Sequence, residues 1–353
     1  MLHLAWILAW GAVVPAQDGR AAPAAPEVTA QAEEAIAKAL NRIASHQTRD
    51  GSFGGSVPLA TTSLACLAFL GSGSTPHAGK YANNIRRGLQ YVRKCCTKSG
   101  FITDYGFSGM YGHGYATLLL AESVGMLHDP AEIEATRDAL SSAVALLERA
   151  QNCYGGWNST PDGAATDDGS GAIAIMQITA LRAARNSGIQ VRPQTIEKAR
   201  KYLLEMASPD GWYAYNYGMR GSPQHSSATT GAGMYMLGVL DLHSNAKYEH
   251  GIRNLLKNAP FLGKSSGGDS GWSSWWHYTC FYASLAIFQH GGDEWAKWYP
   301  AMRDHLVKTQ SADGLWTQDP YGGLYSCFAV LSLELPLRYL PIFQDGGRGR
   351  EGR

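Results

Sequence analysis

Gln310-Ser311-Ala312-Asp313-Gly314-Leu315-Trp316 sets a glutamine, three residues, a glycine, one residue and a tryptophan in a row, and the chain repeats the phrase. Gln151-Asn152-Cys153-Tyr154-Gly155-Gly156-Trp157 has the same form, and Gln47-Thr48-Arg49-Asp50-Gly51-Ser52-Phe53 has it with Phe as the aromatic. Pro209-Asp210-Gly211-Trp212 is a shortened copy. Weaker copies stand at Lys98-Ser99-Gly100-Phe101 and Gly268-Asp269-Ser270-Gly271-Trp272. With Gly51, Gly100, Gly156, Gly211, Gly271 and Gly314 taken as the turn glycines, the steps are 49, 56, 55, 60 and 43 residues, room for two helices and two loops each. Every copy follows an amphipathic run and precedes a more apolar one, so the repeating unit is helix, Gly-aromatic turn, helix.

The first helix of each unit carries the charges and is expected at 30–45, 83–94, 131–149, 193–206, 247–257 and 296–308. The second is nearly free of charge and is expected at 58–71, 114–126, 169–183, 229–240, 278–289 and 324–335. A helix apolar all round must be enclosed. Six enclosed helices alternating with six half-exposed ones predict an all-α protein, an α/α toroid of about six helix pairs in two concentric rings. An open solenoid is the rival geometry, but no terminal unit has the polar face of a cap. Closure puts the loops that enter the inner helices around a central cavity.

The 353 residues thus form one domain, at 29–341. Residues 1–16 read as a signal peptide, with an apolar run from Leu4 to Val14 ahead of Val14-Pro15-Ala16, and the run is too short to span a bilayer. Residues 17–28 read as an Ala/Pro-rich linker and 342–353 as a disordered tail. The expectation is an exported protein, periplasmic or extracellular, with no integral membrane segment after cleavage. Lys plus Arg (30) and Asp plus Glu (29) nearly cancel, and no basic patch alternates with aromatics, which excludes electrostatic recognition of nucleic acid. Cys66, Cys280 and Cys327 lie in apolar helical runs and read as buried thiols. Neither a zinc-type Cys spacing nor an HExxH motif occurs, and no cofactor is expected.

The Gln-x-x-x-Gly-x-Trp repeats resemble the QW motifs of the prenyltransferase and squalene cyclase repeat superfamily, over essentially all of 29–341. The resemblance is greatest to exported single-toroid repeat proteins, and it implies an α/α toroid that handles an apolar, isoprenoid-type molecule. The stretch from His277-Tyr278-Thr279-Cys280 to Gln289-His290 resembles the part of protein prenyltransferase β subunits whose histidine binds zinc. The Asp-x-Cys pair that completes that site is absent, so no metal is expected. Class II triterpene cyclases protonate their substrate with Asp-x-Asp-Asp. Ala165-Thr166-Asp167-Asp168 is similar to it with the first Asp replaced, which gives Asp167 the proton donor's place.

The candidate catalytic residues are Asp167, Asp168 and His277. An Asp at a helix start is read either as a cap on backbone N–H groups or as a carboxyl kept protonated in an apolar cavity and acting as general acid. His277 is a metal ligand, a general base or a packed histidine. The candidate substrate contacts are His113, Tyr115, His225, Trp275, Trp276, Tyr278, Tyr282 and Tyr325, with His113, His225 and His277 expected to converge on one rim. Aromatic faces there stabilise a carbocation, whereas the turn tryptophans serve as anchors.

Three functions follow. The first is a terpenoid-cyclase-like or prenyltransferase-like enzyme, or a binder of an apolar small molecule. The second is a carbohydrate-active lyase or hydrolase on the same toroid, for which Arg220 and Asp269 are the rim charges. The third is a non-catalytic binding toroid.

Overall fold

The computed structural model describes residues 28–104, 109–162, 169–222, 226–264, 269–316 and 323–344. The expected signal peptide and nearly all of the linker therefore lie outside the described residues. Six outer helices are α1 (Ala30–Ser45), α3 (Ala82–Lys94), α5 (Pro130–Ala150), α7 (Pro193–Met206), α9 (Ala246–Asn258) and α12 (Gly292–Thr309). Six inner helices are α2 (Pro58–Gly71), α4 (Gly109–Ser123), α6 (Gly171–Asn186), α8 (Ser227–Val239), α11 (Trp276–His290) and α13 (Leu324–Glu334). Two short helices, α10 (Ser270–Ser274) and α14 (Pro341–Gln344), complete the α-helices of the described residues.

The burial of each helix follows its sequence pattern. Helix α3 buries Ile85, Gly88, Leu89 and Val92, the i, i+3, i+4, i+7 stripe of a helix with one wet face. Helix α2 has no such stripe and buries every residue from Leu59 to Gly71. Inner helices pack in the order α2, α4, α6, α8, α11, α13, and α13 packs on α2 to close the ring. Each outer helix covers the seam between two inner ones, and α1, first in the chain, packs on α12 and α13, the last unit. Helices α8 and α11 approach backbone to backbone, where a Cβ on Gly231 would lie 2.8 Å from the Ala283 backbone nitrogen. Among the described residues there is no named strand.

The repeated phrase is what joins the units. Gln47 Nε2 donates to the Gly51 carbonyl (2.9 Å) and to Asn84 of α3 (3.0 Å). Gln151 Nε2 does the same to Gly155 (3.0 Å) and to Thr195 of α7 (2.9 Å). Gln310 Nε2 donates to Gly314 (2.8 Å) and then, across the seam of the ring, to Ala35 of α1 (2.8 Å). The turn glycine must be glycine: Gly155 has φ +95°, and a Cβ there would lie 2.3 Å from the Lys198 carbonyl oxygen. The aromatic that follows seals the unit, as Trp157 and Trp316 donate from Nε1 to Leu147 (2.8 Å) and Leu306 (2.9 Å).

Several expected details change. The third turn glycine is Gly155, not Gly156. In the fourth unit the buried anchor two residues after Gly211 is Tyr213, while Trp212 is only half-buried. In the second unit the corresponding residue is Ile102 rather than Phe101. Gly271 is no turn glycine, because Asp269 caps α10 through Gly271 N (2.8 Å) and draws the segment into a helix. All six cysteines are thiols, and burial raises the thiol of Cys280 to about 12.

The C-terminal boundary also moves. Ile342 and Phe343, expected in the tail, are buried in α14, and the Ile342 N–H donates to the Glu122 carboxylate at the end of α4 (3.1 Å). Leu340, Ile342 and Phe343 fill the middle of the ring at the end where the inner helices finish. The toroid therefore reaches Gln344, is plugged at one end and is open at the other.

Candidate functional site

The open end holds a cavity of about 630 Å³, within the roughly 300–1,000 Å³ usual for small-molecule sites. It is lined from the first turns of inner helices all round the ring: Tyr111 and Tyr115 of α4, Ala172 and Met176 of α6, Tyr325 and Phe328 of α13. The spacing of three or four residues within each pair is the spacing of one helix face. Segment 213–222 supplies Tyr213, Tyr215 and Met219 as a further wall. That wall is held by an antiparallel bridge from Asn216 to Ser170 and by the Gly171 N–H, which donates to the Tyr215 carbonyl (2.8 Å).

The described wall is aromatic and apolar with a few hydroxyls, and none of its described residues is Asp, Glu, Lys, Arg or His. Its floor is a cluster of rings. Tyr278 lies one turn before Tyr282, with centroids 4.6 Å apart, and the Tyr282 and Tyr115 hydroxyls share a hydrogen bond of 3.0 Å. Phe328 meets Tyr278 edge-on at 5.9 Å. Burial holds the Tyr115, Tyr278 and Tyr282 phenols well above their ordinary pKa, so they stay neutral.

No family model matches the sequence, and no curated protein matches it significantly. Solved structures do resemble it. The type II terpene cyclase MstE from Scytonema superposes with a TM-score of 0.59 at 14% identity, covering 88% of this chain and 100% of that one. An α-1,6-mannanase of Salegentibacter gives 0.56 at 9% identity over 87% and 99%, and an α-amylase from Clostridium perfringens gives 0.58 at 10% over 85% and 97%. The fold is the α/α toroid that these structures share. At such identities the likeness is one of fold, and this toroid hosts a cyclase and glycosidases alike, so function must be argued from the cavity.

Of the residues expected at the toroid's site, Tyr115, Trp275, Tyr278 and Tyr325 line the cavity, and Tyr282 lies beneath it in the floor. Trp276 does not face it. Its ring packs outward on Trp272 (5.2 Å) and on His305 of α12 (4.7 Å), because adjacent helical residues point about 100° apart. His113 is a correction of another kind. It is fully buried, and its Nδ1 accepts from the Ile102 N–H (3.1 Å). Thr62, Thr230 and Ser326 accept from the matching N–H of Phe53, Tyr213 and Trp316, so His113 is the second unit's version of a structural clamp. Burial lowers its pKa to about 3.

His277 lies beside the cavity with its ring stacked on Tyr325 at 5.7 Å. Burial, helped by nearby His305, lowers its pKa to about 4 and leaves it neutral at pH 7. His113 is turned to the Ile102 N–H and His277 to the Tyr325 ring, so the expected convergence of histidines does not occur between these two. His225, Asp167 and Asp168 lie outside the described residues. Among the described residues, no group of three His, Cys, Asp or Glu side chains is placed to hold a metal.

Arg220 and Asp269 are both committed to structure. Arg220 covers the Tyr217 ring at 3.3 Å and pairs with Glu205 at 3.2 Å, while Asp269 accepts from the N–H of Ser227 (2.9 Å) and so ties α10 to α8. Sequence reasoning missed Tyr111, Met176, Met219 and Phe328 as lining residues. Tyr111 was within reach, since it stands one helical turn before Tyr115.

Proposed function

We propose that this toroid takes an apolar, isoprenoid-type small molecule into its open-end cavity and acts on it by acid-triggered chemistry of the terpenoid-cyclase kind. The observation that carries the reading is a cavity of about 630 Å³ walled by tyrosines, Trp275, Phe328 and methionines, with no charged side chain among its described lining residues. Burying apolar ligand surface against such a wall is favourable by roughly 25 cal/mol per Å², whereas an unpaired ionic group would lose its hydration there. The ring faces also suit a developing cation.

Asp167 is assigned as the proton donor and Asp168 as its partner. They stand in sequence just before α6, whose early residues Ala172 and Met176 line the cavity. An aliphatic alkene needs a strong acid, and a carboxyl in an apolar setting is kept protonated until it is used. His277, neutral beside Tyr325, is assigned as the base that recovers a proton. The neighbour MstE binds geranylgeranyl dihydroxybenzoate as its substrate, which fits a cavity of this character. Export, inferred from the apolar run at 4–14, belongs to the same proposal.

A glycan-acting toroid is the second reading. It draws on Tyr215 and Trp275, both exposed at the mouth as stacking platforms, and on the mannanase neighbour, whose inactive variant has two adjacent aspartates replaced. Calorimetric titration with geranylgeraniol and, separately, with α-1,6-mannotriose decides between the readings. Binding of the prenyl alcohol alone is the expected result, and binding of the trisaccharide alone would overturn the proposal. Asp167→Asn should keep prenyl binding and abolish any product, whereas a toroid that only binds shows no turnover to lose.

A further inference from the structure

The two ends of the toroid are divided by one layer of side chains. Tyr115 and Met176 line the open cavity on one side and, on the other, a small apolar void of about 20 Å³ whose lower wall is Leu340, Ile342 and Phe343. The Tyr115–Tyr282 hydroxyl pair closes the layer across the ring (3.0 Å). Directly behind it lies the C-terminal plug, held by the Ile342 N–H to Glu122 and by Arg338, whose guanidinium stands 5.0 Å from the Phe288 ring centroid.

We propose that the C-terminal segment Leu340–Phe343 is the depth stop of the cavity and sets the maximum length of ligand it accepts. The inference rests on the cavity being an apolar-ligand site. The inner helices surround a central space, and its other end is filled by three residues that belong to neither ring, Leu340, Ile342 and Phe343. A ring this wide does not fill itself with its own side chains, as the open end demonstrates. Phe343 and Ile342 are therefore what prevents the 630 Å³ cavity from continuing through the void. The tyrosine pair alone is a thin barrier, one layer of side chains between the cavity and the void.

Chain-length cutoffs test this directly. The probes are linear primary alcohols of increasing length, titrated against the full chain with tryptophan fluorescence as readout. In the wild type, affinity should rise about fourfold for each added methylene and then stop rising at a definite length, where the chain tip meets the floor. Phe343→Ala should move that cutoff by at least about two carbons. Tyr282→Ala, and Tyr282→Ala combined with Phe343→Ala, show which layer stops the chain. The proposal stands if Phe343→Ala moves the cutoff, or if the double variant accepts longer chains than Tyr282→Ala does. It falls if the cutoff is unchanged in Phe343→Ala and identical in the double variant and Tyr282→Ala. If Phe343→Ala does not give the wild-type helical spectrum, Phe343→Leu replaces it in both comparisons. A wild type that binds none of the alcohols refutes the apolar-site reading itself, and the depth stop with it, an outcome distinct from an unmoved cutoff.

Discussion

The open and plugged ends of this toroid are made from the same six inner helices, yet one holds a cavity of about 630 Å³ and the other barely 20 Å³. At the open end the helices begin and the wall is tyrosine, with hydroxyls and half-exposed rings. At the other end they finish, and Leu340, Ile342 and Phe343 complete a dry core. The buried acids differ in the same way. Glu122 and Glu334 sit deep at the plugged end, Glu122 holding the plug and Glu334 facing Gly71, whose missing Cβ makes room for its carboxyl. An acid there serves packing. At the open end Asp269 is tied to the start of α8 through the Ser227 N–H, and no acid stands among the described residues of the cavity wall. Position along the inner helices thus divides a dry, filled end from an open, tyrosine-walled one, and three substitutions test the division.

The largest effect is expected from Leu340→Ala. Leu340 is 1% exposed and lies at the centre of the ring, so its loss leaves a cavity and should cost about 2–5 kcal/mol, read as a lower urea midpoint with the m-value unchanged. Ligand affinity for chains shorter than the cutoff should not change. A loss of binding without a loss of stability would erase the distinction between the ends.

Glu334 gives the next effect, through pH. Its carboxyl has no hydrogen-bond partner, and burial raises its pKa well above the ordinary 4.5. Below pH 4.5 the folded and unfolded chains both hold the proton. Above it the unfolded chain releases the proton while the folded one keeps it, so stability falls with rising pH by up to about 1.4 kcal/mol per unit until the folded group ionises. Glu334→Gln should remove that slope. His113 and His277, lowered to about 3 and about 4, act in the opposite sense below pH 6.5, so the difference between wild type and Gln variant is the quantity to follow by urea unfolding across pH 5–8. Equal slopes in the two proteins would show that Glu334 is ionised when folded.

The division was only partly written in the sequence. The Gln-Gly-aromatic turns gave six helix pairs, and α1, α2 and α7 were placed to the residue, because their starts are written in the sequence: Thr29 caps α1, and α2 and α7 open on Pro58 and Pro193. Closure was legible as a count of units, though not as the bond from Gln310 to Ala35 that performs it. The fifth turn misled because Asp269-Ser270-Gly271-Trp272 satisfies a turn pattern and an N-cap equally well, and tertiary packing of Trp272 decides for the helix. The plug was unreadable, since four residues before a Gly/Arg-rich tail carry no periodicity. At the site, the density of tyrosine and tryptophan was visible, but the facing was not. Trp275 and Trp276 are neighbours in sequence, and only the first looks inward. His113 looked like a ligand and is a clamp, because nothing in the sequence shows that it occupies the place of Thr62, Thr230 and Ser326.

The smallest effect on stability, and the sharpest contrast with Leu340, belongs to Tyr215. Its side chain is 50% exposed although its ring lines the cavity, so the folded protein draws little from it and Tyr215→Ala should change stability by less than about 0.5 kcal/mol. Its contribution arises only when a ligand covers the exposed face. Removing that face takes apolar contact from the complex and not from the free protein, which should weaken binding of a prenyl alcohol about tenfold, or about 1.4 kcal/mol. Titration of the variant beside its unfolding curve reads both numbers. Tyr215→Phe should keep the affinity if the ring face is the contact, and should lose it if the hydroxyl is. A Tyr215→Ala protein that binds as well as the wild type would move the ligand away from segment 213–222 and leave the mouth without its outer wall.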